Sequence, residues 1–138
     1  MGIEKFIKSV CVQTAVYWGN PQPDGYGGVT FDEARELSPP NGVRWEDKWQ
    51  LITTKEGNEI VSRSEVLVTE DLDDEGYLML GTLSDLLVYT EGPADRVEDI
   101  NPRIVTNAYQ IKGRTKVPMI KSKAEFVRKV YLANRMNV

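Results

Sequence analysis

Few residues in this chain are of a type and spacing that could carry chemistry. The 138 residues contain no histidine, which removes Ser–His and Cys–His nucleophilic pairs, histidine-bearing zinc sites and the commonest general base. The lone Cys11 has no second thiol for a disulfide and no imidazole to activate it, so it reads as a small buried hydrophobe of a reducing compartment. Gly25, Gly27 and Gly28 resemble a phosphate loop in glycine content alone, because no Gly-Lys-Ser/Thr and no helix signature follows. Asp71, Asp73 and Glu75 ahead of Gly76 hint at a calcium loop. The twelfth position counted from Asp71 is Thr82, where a bidentate glutamate belongs, so a solvated acidic turn is the better reading. Carboxylates are plentiful, but no spacing nominates an acid–base pair. The expectation is a non-enzyme without metal or cofactor.

Charge is the stronger signal. The net charge is −4, yet residues 101–138 hold nine Lys/Arg against one acid, and the first hundred hold eight against twenty. Lys112, Arg114 and Lys116 alternate, so an extended segment would set them on one side, with Lys121 and Lys123 prolonging the basic face. Such a face serves phosphates through counterion release, an acidic surface on a neighbouring copy, or the acidic part of its own chain. Without a recognition helix or an RNA-binding aromatic motif, sequence-specific nucleic-acid reading is disfavoured.

The elements that would position these groups are mostly strands. Ser9–Trp18 is rich in β-branched and aromatic residues and alternates, as a strand does. It ends abruptly in Gly19-Asn-Pro-Gln-Pro-Asp-Gly-Tyr-Gly-Gly28, and irregular sequence continues to Gly42. A connection spanning residues 19–42 is unusually long for a compact domain, and such loops are commonly functional. Trp18, Pro21, Asp24, Tyr26 and Phe31 are its candidate contact residues, although Trp18 is better suited to packing beneath its own loop. Two further runs, 45–54 and 59–68, flank a Gly57 turn and read as a hairpin. An acidic turn precedes a short strand at Tyr77–Thr82. Leu83–Val88 either continues that strand or forms one helical turn. Ile104–Lys112 alternates and is stopped by Gly113. Over 122–133, a capping box with one apolar helical face competes with strand alternation. The whole is a single domain, 1–138, mainly β, a small barrel or sandwich with a long loop after the first strand. Residues 1–8 form an N-terminal arm. No stretch of eighteen apolar residues spans a membrane, and the N-terminus lacks a signal-peptide core.

The segments CVQTAVYWGNPQPDGYGGVTF, GVRWED and NEIVSRSEVLVTEDLDDEGYLMLG together resemble the head-closure, or head–tail joining, proteins of tailed bacteriophages. The likeness rests on Tyr17-Trp18, the Pro21–Gly28 loop, Arg44-Trp45, Gly57 with Val61-Ser62-Arg63, and Gly76–Gly81, and covers about residues 10–132. It implies that Glu125–Leu132 contains a final strand. It also implies a β-barrel subunit forming a ring of copies of itself in the virion neck, made in the bacterial host cytoplasm. The ring would close the DNA-filled head below a portal or adaptor protein and dock a tail-completion or tail-terminator protein, with non-specific contact to packaged DNA. Two alternatives stand beside it: a tail-completion, tail-terminator or capsid-decorating virion protein, and a nucleic-acid-binding β-barrel that uses the basic C-terminal third.

Overall fold

The structure, a computed structural model, describes residues 9–39, 41–54, 56–86, 100, 102–118 and 126–133. It is mainly β. The strands are β1 (Ala15–Trp18), β2 (Gln22–Pro23), β3 (Val29–Thr30), β4 (Arg35–Leu37), β5 (Arg44–Thr53), β6 (Glu59–Val68), β7 (Tyr77–Leu80), β8 (Ala108–Pro118) and β9 (Phe126–Ala133). Seven of them make one sheet in the order β4-β1-β7-β8-β9-β6-β5, and β2 pairs with β3 separately. Every pairing is antiparallel.

The sheet is not closed into a barrel, which corrects that half of the expectation. Its two edge strands, β4 and β5, are consecutive in the chain. The start of β5 turns back toward β1 through one bridge, Gln13 to Val43, and the Trp45 N–H donates to the Gln13 side chain at 2.6 Å. Among the described residues the ladder goes no further, and β5 has no second strand beside it there. Strand β1 is also shorter than the expected Ser9–Trp18, with Ser9 and Val10 helical. Pairing can begin only at Ala15, because both neighbours end there, opposite Leu37 and Leu80.

All four residues of β1 are buried, so both faces of this strand are covered. Ala15 and Tyr17 join Leu37, Val43, Val66, Leu78, Ile111 and Leu132 in the main core. Val16 and Trp18 face a second cluster with Met79, Leu86, Ile100, Val105 and Ala108. On β6 the even positions Ser62, Ser64, Val66 and Val68 are buried and the odd ones are not, the period of two of a half-buried strand. Cys11 is fully buried, as expected, but ahead of β1 rather than within it. Burial pushes its thiol pKa up, with Arg44 pulling weakly the other way.

The hairpin expected over 45–54 and 59–68 is β5–β6. Leu83–Asp85 forms a 3-10 turn rather than more strand, and 126–133 is strand rather than helix. Gly113 does not stop its strand, because β8 runs through it to Pro118. A register shift against β9 falls between Ile111 and Gly113, and a Cβ at Gly113 would lie 3.0 Å from Ile52 Cδ1. There the glycine lets β5 pack closely over the bulge instead of breaking the strand. The connection 19–42 is long, as expected, yet not irregular throughout: it holds the β2–β3 hairpin and the edge strand β4.

Candidate protein-interaction surface

The β2–β3 hairpin rises from the end of β1 on a polar clamp. The Tyr17 hydroxyl accepts the Asp73 backbone N–H at 2.7 Å and donates to Asp73 Oδ2 at 3.2 Å. The same carboxylate oxygen accepts the Asn20 N–H at 2.8 Å. Burial, above all, pushes the Tyr17 phenol up to about 12, so it stays protonated and keeps its donor. Asn20, at φ 51°, donates from its side chain to Asp32 at 3.3 Å and accepts from Gln22 at 3.0 Å. Gly76 completes the seat. A Cβ there would lie 2.7 Å from the Trp18 carbonyl oxygen, so only glycine lets the acidic turn approach β1 this closely.

At the tip, Asp24 organises the turn. Its Oδ1 accepts the backbone N–H groups of Tyr26 at 2.7 Å and Gly28 at 3.0 Å, and these bonds hold its carboxyl below the usual range. Gly25 and Gly27 take φ of 84° and 87°, values that side chains other than glycine adopt only with strain. The consequence is a pinned turn with Tyr26 projecting at 95% exposure.

The five candidate contact residues therefore separate. Trp18 is core: it is 1% exposed and its indole N–H donates to the Ile100 carbonyl at 2.9 Å. Phe31 is half-buried on the second cluster, its ring edge-on to Tyr77 at 5.4 Å. Asp24 is exposed but spends its carboxylate inside the turn. Pro21 is half-buried. Tyr26 alone of the five presents its whole side chain outward.

The basic face is not a free stripe. Reading up β8, Lys112 meets Glu75 at 2.8 Å, Arg114 meets Asp74 at 3.6 Å and donates to the Leu72 carbonyl at 2.6 Å, and Lys116 meets Asp71 at 3.1 Å. The acidic turn descends as β8 ascends, so the two runs pair in antiparallel order. Arg128 on β9 also holds Asp71, at 2.8 Å, and Arg128 first, then Lys116, hold that carboxyl below its usual range. Asp71, Asp73 and Glu75 thus point to different partners, and among the described residues no group of three or more His, Cys, Asp or Glu could hold a metal. Lys121 and Lys123 lie outside the described residues.

A second exposed feature escaped the sequence reading. Trp49, Leu51 and Val61 are 66%, 64% and 52% exposed, and Leu51 stands directly opposite Val61. Strict alternation would put Trp45, Trp49 and Leu51 on one face. The β5–β6 register shifts between Asp47 and Gln50, so Trp45 packs on the main core while Trp49 and Leu51 turn outward. The shift is braced by Asp47, whose Oδ1 accepts from Ser64 at 2.7 Å and from the Trp45 indole at 3.2 Å, with the Arg63 guanidinium 3.6 Å away. A bulge of this kind re-aims a side chain, and no feature of the run's composition announces it. Compared with protein-family models, curated proteins and solved structures, the chain matches none.

Proposed function

We propose that this chain is a non-catalytic assembly subunit, a head-closure protein that forms a ring in the neck of a tailed bacteriophage. In this reading copies of the chain meet one another. The ring takes a portal or adaptor protein on the head side and a tail-completion or tail-terminator protein on the other. The sequence resemblance supplies the family. The observation that carries the role is the β2–β3 hairpin, which is clamped at its base, pinned at its turn by Asp24 and left with Tyr26 almost wholly in solvent. A backbone ordered in that way loses little entropy on association, and tyrosine is a favoured interface anchor. The nucleic-acid alternative loses its main support, since Lys112, Arg114 and Lys116 are matched by carboxylates of their own chain.

Cryo-electron microscopy of virions that carry the gene tests the reading. One ring of this fold at the head–tail junction is expected. Copies spread over the shell would make it a decorating protein, and its absence from particles would refute a virion role.

A further inference from the structure

The two most exposed aromatic side chains described, Tyr26 and Trp49, lie on different elements, and neither covers the other. We infer that they cover one another between copies: the β2–β3 hairpin of one subunit docks on the Trp49–Leu51–Val61 patch of the next. This deepens the proposed role and rests on it only for the closing of such contacts into a ring.

The chemistry of the two surfaces matches. The hairpin presents Pro23 beside Tyr26, and an aromatic surface of Trp49's kind receives proline rings and a tyrosine edge well. Tryptophan and tyrosine are also the residue types that dominate interface energies. Any charge match is confined to Lys48, since β5 and β6 together carry four acids against three basic groups. Residues 19–34 carry three carboxylates and no Lys or Arg, although Asp24 is bonded within its own turn and Asp32 accepts from Asn20. Beside Trp49 stands Lys48, half-exposed and 3.9 Å from Glu65, a carboxylate that Lys129 holds closer at 3.2 Å. Lys48 is therefore loosely held and able to turn toward an incoming acidic hairpin, whereas Asp47 is already engaged by Ser64, Trp45 and Arg63.

The mode is side-chain docking rather than strand addition. The bulge and Lys48 are the devices by which an edge strand resists pairing with another, and Pro23 offers no backbone N–H to such a ladder. Because knob and receptor are different patches, the contact is heterologous and propagates head to tail, as a ring requires.

Sedimentation equilibrium of the full chain tests this. The wild type is expected to associate beyond the dimer as concentration rises. Tyr26→Ala and Trp49→Ala, both at exposed positions, are each expected to weaken association about ten-fold or more while leaving the circular dichroism spectrum unchanged. Mixed in equal amounts, the two variants are expected to form a dimer that grows no further, since the Trp49→Ala copy keeps its hairpin and the Tyr26→Ala copy keeps its patch. A monomeric wild type overturns the inference. So does a mixture that forms no dimer, the outcome if the patch pairs with itself or receives another protein. The result is independent of where the chain sits in a particle: a dimer without neck density would sink the phage reading alone, and neck density without a dimer would sink this contact alone.

Discussion

Trp18 and Tyr26 lie eight residues apart in a segment that reads as one contact loop, yet they have opposite energetic roles, and Trp18→Phe separates them. The substitution keeps an aromatic ring in the second core cluster but removes the indole N–H that meets the Ile100 carbonyl at 2.9 Å. Losing the bond costs about 1 kcal/mol net, and a buried carbonyl left without its donor costs about 1–3 kcal/mol. The smaller ring forfeits part of the packing at a fully buried site, roughly 1 kcal/mol more after partial relaxation. These contributions overlap, and the expected loss is about 2–4 kcal/mol. Urea unfolding followed by the fluorescence of the remaining tryptophans, Trp45 and Trp49, measures it as a lower midpoint at unchanged slope. Tyr26→Ala, by contrast, is expected to stay within about 0.5 kcal/mol of wild type, because its side chain makes almost no contacts to lose. If Trp18→Phe costs less than about 0.5 kcal/mol yet weakens self-association, Trp18 is a contact residue and the burial argument fails.

Two further outcomes follow from the charged groups. The Asp24 pKa is depressed in the folded chain by the Tyr26 and Gly28 amides, so its hold on the turn is fully present above the unfolded value, about 3.9, and is lost as pH falls through the lower folded value. Amide resonances of Tyr26 and Gly28 should therefore hold steady from neutral pH down to about pH 4 and shift only below it; a midpoint at or above the ordinary aspartate value contradicts the bonding. Asp71→Asn leaves Lys116 and Arg128 without the carboxylate they share. Because that carboxylate is more than half exposed, the stability cost should be at most about 1 kcal/mol. Binding to duplex DNA at low salt should rise, its salt dependence steepening by up to about two phosphate contacts. Equal binding by wild type and variant would show that this pairing does not mask a basic face.

The strands were legible where one physical cause acted alone. The alternation of Glu59–Val68 survives intact because one face packs on the core and the other meets water. The Gly57 turn is equally readable, since it needs only local chemistry. Gly113 misleads for the opposite reason: its local message is to stop, and the close packing of Ile52 above it converts that message into a bulge within a longer strand. Trp49 is hidden by the same class of event. The register shift after Asp47 inverts which positions face the core, and its braces, Ser64 and Arg63, lie on the partner strand.

The charge pattern marks a deeper limit. Composition separates an acidic first part from a basic last third, and three solutions fit that fact equally: a nucleic acid, a neighbouring copy, or the chain's own turn. For Lys112, Arg114 and Lys116 the chain's own turn is the partner, and what brings this about is order rather than count. Asp71, Asp74 and Glu75 run antiparallel to Lys112, Arg114 and Lys116, and β7 pairing with β8 brings the two runs into register, since the Glu75 and Ile111 backbones are joined by an N–H to carbonyl bond of 2.9 Å. Once those cations are matched internally, long-range attraction for an acidic partner falls to groups as loosely paired as Lys48. On the proposed assembly role, the contact surface therefore lies away from the basic stripe, at the exposed aromatic side chains of the two hairpins.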